Sequence, residues 1–409
     1  LARRGVVLAC GGFPADDDLK RQYYGHVRDG RQHRSAPPPG NRGDGIRLGQ
    51  TAGGALAQDV AYAAAWAPVS LVPQPDGSTL PFPHFYERGK PGYIAVDPTG
   101  RRFTNESASY HDFVPAMIES CREAAETSCW LLCDHRAIRR YGMGAIGPAP
   151  MPLGPHLRSG YLLAAASWPE LAAKMEVDAG VLQATVRHFN ANAVRGEDPD
   201  FGKGTDAYHR FNGDPTHKPN PCLAVLERAP FYAMKLIPGD IGTFLGLRVD
   251  GHARVLDGKG TPITGLYAAG NDMTSVMGGT YPGAGITIGP ALTFGYIAAR
   301  HAASAGVDAS FTEMLLRLSS RPIADRLWAL LHELWVDRFV IIGVFLALVA
   351  LGFASAQTWS QALLLFGLIP PLVFTLRVAG RGSVALQERG RWGLVAEQIA
   401  GHLGVPVVA

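Results

Sequence analysis

Six of the twelve residues from Gly278 to Gly289 are glycine or proline, and the run passes straight into the apolar pattern GPALTFGYIAARHAA. A stretch with so few side chains can only be backbone brought close to a flat group or to other backbone. One large polar aromatic, Tyr281, stands in its middle. Pro290 suits the first position of a helix. A helix that opens at Gly289, Pro290, Ala291 and Leu292 presents unpaired N–H groups and partial positive charge there, which stabilise an anion. Tyr281 offers a phenol donor and Gly285 a backbone N–H. Two donors converging on one carbonyl oxygen make an oxyanion hole that stabilises an enolate as it forms. The same residues also suit a packing turn with a hydrogen-bonded tyrosine. The residues alone leave both readings open.

The rest of the chain supplies the setting. GVVLACGG (residues 5–12) reads as a short buried parallel strand ending in a glycine turn. NRGDGIRLGQTAGGALA (residues 41–57) reads as a glycine-rich helix with Asp44 as its N-cap. From about Leu71 the texture changes to proline and turn residues, with a hairpin at GYIAVDPTGRRFTN. Helical patterns follow in YHDFVPAMIESCREAA and in SWPELAAKMEVDAGVLQATVRHFNANAVRG. Strands and tight turns return at GLRVDGHARVLDGKG and ITGLYAAGN. The expected organisation is one α/β domain in two pieces, residues 1–70 and 241–306, with an α+β cap at residues 71–240 inserted between them.

The last part, residues 307–409, is a helical tail. Phe339 to Leu376 contains no charged residue, broken only by QTWSQ, and arginines flank it on both sides. Its length and flanks predict a membrane hairpin over residues 339–376 with both ends cytoplasmic. A buried helical pair in a soluble domain is the competing reading.

Charge excludes one class of partner. With 38 basic and 35 acidic residues the net charge is +3, which gives no reason to expect nucleic acid as a partner. The five scattered cysteines predict a reduced cytoplasmic protein. Cys129 and Cys133 read as buried small hydrophobes, and no second ligand pair or histidine cluster supports a metal site.

Three segments carry a family resemblance. GLYAAGNDMTSVMGGTYPGAGITIGPALTFGYIAARHAA (residues 265–303) resembles the closing FAD-binding segment of the fumarate reductase/3-ketosteroid Δ1-dehydrogenase flavoproteins. GRRFTNESASYHDFVPAM (residues 100–117) resembles their cap-domain active-site segment, and GVVLACGGF the strand before the cap. The resemblance covers residues 1–305 or so, in family order. It implies an FAD-binding Rossmann-like fold of the glutathione reductase type with an inserted α+β cap. FAD is then the cofactor, with Gly11, Gly12, Gly270, Asn271 and Asp272 beside it and the helix start at Gly289, Pro290, Ala291 and Leu292 facing the flavin.

The Tyr-Pro-Gly-x-Gly pattern is similar to the ketosteroid dehydrogenase branch. There Tyr281 and the Gly285 N–H would hold a ketone oxygen. Tyr110 would be the base that takes a proton from the adjacent carbon, while a hydride passes from the next carbon to flavin N5. The implied partners are a small apolar, steroid-like ketone and an electron acceptor. His111 and Asp112 read as capping or hydrogen-bonding groups, and Glu106 as a residue that orders the loop.

The sequence departs from the family pattern in two places. No strand, G-x-G-x-x-G loop and helix opens the chain to hold the FAD diphosphate. The expectation is therefore an N-terminally truncated member, with little flavin absorbance from residues 1–409 alone. The apolar tail has no counterpart in the flavin chemistry. It implies a cytoplasmic protein with membrane contact through residues 339–376. Two alternatives stay open: a flavin-dependent reductase of an activated C=C bond, and a non-catalytic relic joined to a membrane segment.

Overall fold

The computed structural model describes residues 4–303. The chain starts with β1 (Val6–Leu8), which turns through Gly11 and Gly12 toward the helix Asp44–Thr51. That helix is capped by Gly43 in the left-handed region, not by Asp44. Between them lies the two-residue β2 (Arg34–Ser35), and then β3 (Ala64–Trp66) leads into the cap.

The cap opens with the hairpin of β4 (Val69–Pro73) and β5 (Thr79–Pro83). Its main sheet comprises β6 (Tyr93–Val96), β7 (Cys129–Cys133), β8 (Leu163–Ala165) and β9 (Phe231–Leu236), in the order β6-β7-β9-β8, all antiparallel. Alternation along these strands separates two apolar faces. Tyr93, Ala95, Cys129, Leu131 and Cys133 meet Phe113 and Met117 of the helix Tyr110–Ser120. Ile94, Val96 and Leu132 meet Leu171, Leu182 and Phe189 on the other side. A side chain such as Leu131 or Leu132, fully buried here, contributes about 1.5–3 kcal/mol. Cys129 and Cys133 are core residues of the first face. The long helical pattern at residues 167–196 is two helices, Trp168–Met175 and Ala179–Ala193. Glu176 in left-handed backbone breaks the chain, and Asp178 caps the second helix.

The return path is β10 (Gly239–Thr243), followed by β11 (Arg254–Leu256) and β12 (Pro262–Ala268). β10 lies between β2 and β3, parallel to the former and antiparallel to the latter, with Asp240 opposite Trp66. Both passages between the halves therefore run through one small sheet. β12 pairs with β1 in parallel and with β11 antiparallel. A 3-10 turn, Gly270–Asp272, follows β12, and the described chain closes with the helix Ile288–Ala303, which begins two residues before Pro290.

Two expectations need correction or placing. β1 is parallel, as read, but only partly buried: Leu8 is in the core, whereas Val6 and Val7 are 49% and 42% exposed. The physical reason is that β12 covers one edge of β1, and no strand covers the other among the described residues. The apolar stretch 339–376, with its membrane hairpin, lies outside the described residues. Among the described residues no helix is long and apolar enough to cross a membrane.

Candidate active site

Tyr110 is the first residue of its helix, and the loop before it is pinned from below. Ser109 caps the helix by accepting the His111 N–H at 3.2 Å. The buried Glu106 carboxylate accepts the Ala95 N–H at 3.0 Å and two Arg102 N–H groups at 2.9 Å, and lies 3.3 Å from Lys203 Nζ. Burial alone would push Glu106 up. Arg102 and Lys203 outweigh it and hold the carboxyl at about 2. Arg88, also buried, donates to the Glu106 carbonyl at 2.9 Å and lies over the Phe113 ring. Glu106 thus orders the loop that delivers Tyr110.

Tyr281 is delivered by backbone. The Ala61 N–H donates to the Gly278 carbonyl at 2.9 Å. At Gly279 (φ +82°) a Cβ would lie 2.6 Å from Tyr62 N, so only glycine allows the loop to lie this close. The loop brings Tyr281 into a cluster with Tyr110, Phe244, Ala65, Ala67 and Ile286.

The two phenols meet. The Tyr110 hydroxyl donates to the Tyr281 hydroxyl, with ring centroids 4.7 Å apart. Burial, followed by the hydrogen bond to Tyr281, pushes the Tyr110 phenol well above its ordinary range. Burial raises Tyr281 as well, and the hydrogen bond it accepts partly offsets that rise. Both are neutral phenols near neutral pH.

Gly285 has φ +95° and open space where a Cβ would stand. Gly278, Gly283 and Gly289 also face open space. The Gly285 N–H donates to no backbone carbonyl among the described residues. Next to this run is a crevice of about 20 Å³, room for roughly one water. Gly270, Asn271, Thr287 and Pro290 line it together with Phe244 and Ile286. Gly270, Asn271 and Pro290 therefore adjoin the phenol cluster. At Gly12 (φ +73°) a Cβ would lie 2.0 Å from Thr243 Oγ1. Ala291 sits 3.7 Å from where a Gly270 Cβ would be, and Leu292 is exposed on the closing helix.

Asp272 ends the 3-10 turn after β12, beside the Gly11–Gly12 turn. Its buried carboxylate accepts the N–H groups of Cys10 and Gly12, the latter at 3.0 Å, and closes against Gly45. It fastens the Gly11–Gly12 turn to the strand end. His111 is a hydrogen-bonding group, as read: its Nδ1 accepts the Trp66 N–H at 3.1 Å. Two aromatic walls flank the phenols, and one of them, Phe244, was not legible as a site residue. Phe85 lies 4.8 Å from the Tyr110 ring, and Phe244 lies 6.2 Å from Tyr281. Phe85 belongs to the aromatic cap segment PFPHFYERGKPGY. Phe244 follows a strand with no signal of its own.

A parallel strand pair, a glycine turn, a helix opening on bare backbone and an insert that lends one tyrosine fit an α/β cofactor-binding protein. The family model of the FAD binding domain matches residues 1–288, and the chain belongs to that family, as a member of the fumarate reductase/3-ketosteroid dehydrogenase flavoproteins. It is 44% identical over 302 residues to the 4-oxocyclohex-2-ene-1-carboxylate 5-dehydrogenase of Sinomonas cyclohexanicum, covering 74% of this chain and 51% of that protein. It is 40% identical over 315 residues to the 3-oxosteroid 1-dehydrogenase of Mycobacterium tuberculosis, covering 74% of this chain and 53% of the relative. Among solved structures, the 3-ketosteroid Δ1-dehydrogenase of Sterolibacterium denitrificans in complex with 1,4-androstadiene-3,17-dione superposes with a TM-score of 0.66 at 38% identity, over 74% of this chain and 54% of the other. The chain spans about half the length of the curated relatives it matches.

FAD is the cofactor of this family. The open glycine run and the start of the closing helix fit the flavin end of that molecule: bare backbone faces space, and the helix N-terminus favours negative charge.

Proposed function

We propose that the chain carries the ketone-binding and flavin-facing part of a dehydrogenase that introduces a C=C bond next to the carbonyl of a cyclic, steroid-like ketone. The observation that carries the reading is the hydrogen-bonded pair of Tyr110, from the cap, and Tyr281, from the glycine loop. It is supported by the dehydrogenase names of the relatives above. In this reading Tyr281 O–H and the Gly285 N–H hold the ketone oxygen and stabilise the enolate. Substrate entry separates the phenols and opens Tyr110 to solvent; after giving its own proton to water, the Tyr110 phenolate takes a proton from the carbon beside the carbonyl, and a hydride leaves the next carbon. FAD would supply the hydride acceptor at this site and hand the electrons on to an acceptor. Gly270, Asn271 and the residues from Gly289 to Leu292 would line its flavin end. Asp272 would act on it only through the Gly11–Gly12 turn.

One observation favours a second direction. The Tyr110 phenol is held protonated by burial and by its bond to Tyr281, so it is prepared to give a proton rather than take one. The same residues would then serve reduction of an activated C=C bond, with Tyr110 protonating carbon.

The test is anaerobic. The chain is mixed with FAD, and bleaching of the flavin is followed on adding androst-4-ene-3,17-dione or a 4-oxocyclohexanecarboxylate. Bleaching by either ketone is the expected result. Reoxidation of reduced flavin by the dehydrogenated product, without bleaching by either starting ketone, would instead support the reductase. Bound flavin that responds to neither would sink both.

A further inference from the structure

Arg88 has no part in the chemistry above, yet it is a fully buried charge with no carboxylate partner among the described residues. It stands in a 3-10 turn, Glu87–Gly89, directly after the aromatic segment that carries Phe85. A buried charge is costly unless it is richly hydrogen-bonded. Here every bond goes to backbone. Nε donates to the His84 carbonyl at 3.2 Å, and one Nη donates to the Glu106 carbonyl at 2.9 Å. The other Nη donates to two carbonyls, Phe85 at 3.2 Å and Ala108 at 3.5 Å. The face of the guanidinium lies over the Phe113 ring, 4.7 Å from its centroid, one turn into the Tyr110 helix. The Glu106 carboxylate is held by Arg102 and Lys203, so Arg88 takes the carbonyl of that residue instead.

Two segments therefore share one planar group. His84 and Phe85 belong to the first. Glu106 and Ala108, in the loop that delivers Tyr110, belong to the second. Where the segments meet, the Phe85 ring lies 4.8 Å from the Tyr110 ring at 57°. A fork of fixed, diverging donors defines both the distance and the angle between the carbonyls it holds, which an ammonium on a flexible stem does not. A second link between the segments, from the Ser107 hydroxyl to the Gly89 carbonyl, is 3.4 Å, long for a hydroxyl donor. The guanidinium carries the alignment.

We propose that Arg88 is a positioning residue: its guanidinium, acting from the core, locks the Phe85 segment to the loop before Tyr110 and so sets the two rings against each other. The inference rests on the dehydrogenase reading only for its consequence in turnover. Its geometry stands without it.

The test uses the 409-residue chain with no added cofactor. In the parent, rotation of the Arg88 guanidinium is expected to be stopped on the NMR timescale, so that each Nη proton gives its own resonance. One averaged resonance overturns the proposal. Arg88→Lys keeps the charge and removes the fork. The cross-peak between the Phe85 and Tyr110 rings, present in the parent, is expected to be lost in Arg88→Lys. Amide exchange is expected to quicken about tenfold at residues 84–89 and 105–110, the effect of one lost hydrogen bond, while β7 and β9 keep their protection. A cross-peak that persists in Arg88→Lys overturns the proposal, because a point charge would then suffice. Exchange that rises evenly over the whole fold also overturns it, because Arg88 would then serve stability alone. Should Arg88→Lys not fold, the Nη resonances of the parent decide. Failure of the dehydrogenase reading shows as an unresponsive flavin, which none of these measurements involves.

Discussion

Tyr110 and Tyr281 are 171 residues apart in sequence and share a hydrogen bond. The donor is Tyr110, so the Tyr281 proton is free to point onward, and a phenol that accepts one bond donates a stronger second one. Tyr281→Phe is therefore expected to lower the rate of flavin bleaching by about 10²–10³. Stopped-flow absorbance measures it, and a rate within a few-fold of the parent would remove the oxyanion role. Gly12 makes a separate prediction. Its φ of +73° and the 2.0 Å approach of Thr243 Oγ1 exclude a side chain. Gly12→Ala is expected to cost about 1–3 kcal/mol, read from urea unfolding. A wild-type midpoint would show that the turn can rearrange.

Among the elements, the Tyr110 helix depends on charges buried beneath it. Arg102, Asp198, Lys203 and Glu106 are all nearly or fully buried. Breaking such a group by removing one member leaves uncompensated charge behind, a loss of about 3–5 kcal/mol. Glu106→Gln should show that loss in chemical denaturation, together with faster amide exchange at residues 103–109. A loss well below 1 kcal/mol would mean that Arg102 and Lys203 find other partners. How much of this was legible varies with the physical signal. Glycine leaves a strong mark because few other residues tolerate its backbone states, so the 278–289 loop and its lone tyrosine stood out. Glu106 and the hairpin at Asp97–Gly100 were readable from local chemistry. The Trp66–His111 bond and the Phe244 wall were not, since they join segments whose spacing carries no period. The exposure of β1 was missed for a related reason: an apolar strand reads the same whether or not a neighbour covers its second edge.

At the scale of the molecule, acid should be the sensitive variable. Burial pushes His111 down to about 4 and His26 down to about 3, His33 adding to the latter. In the unfolded chain both titrate at the ordinary 6.5. Between these values the unfolded chain binds more protons than the folded one, so stability falls as pH is lowered through that window. Glu106 acts lower. Its folded value is depressed to about 2 from 4.5, so its contribution is present above 4.5 and disappears as pH falls through about 2. The expected urea midpoint is flat near neutrality, declines below about pH 6.5, and declines further below about pH 4.5. A midpoint constant down to about pH 4 would contradict burial of the two imidazoles.

The pairing of β3 with β10 has a practical side. Because Trp66 and Asp240 are register partners on neighbouring antiparallel strands, the cap leaves and re-enters at points one strand spacing apart. A short two-residue turn could bridge that gap. The insert thus opens and closes at one place in the scaffold, while its helix is held there by packing, Val114 sharing a core with Phe13, Tyr24 and Trp66.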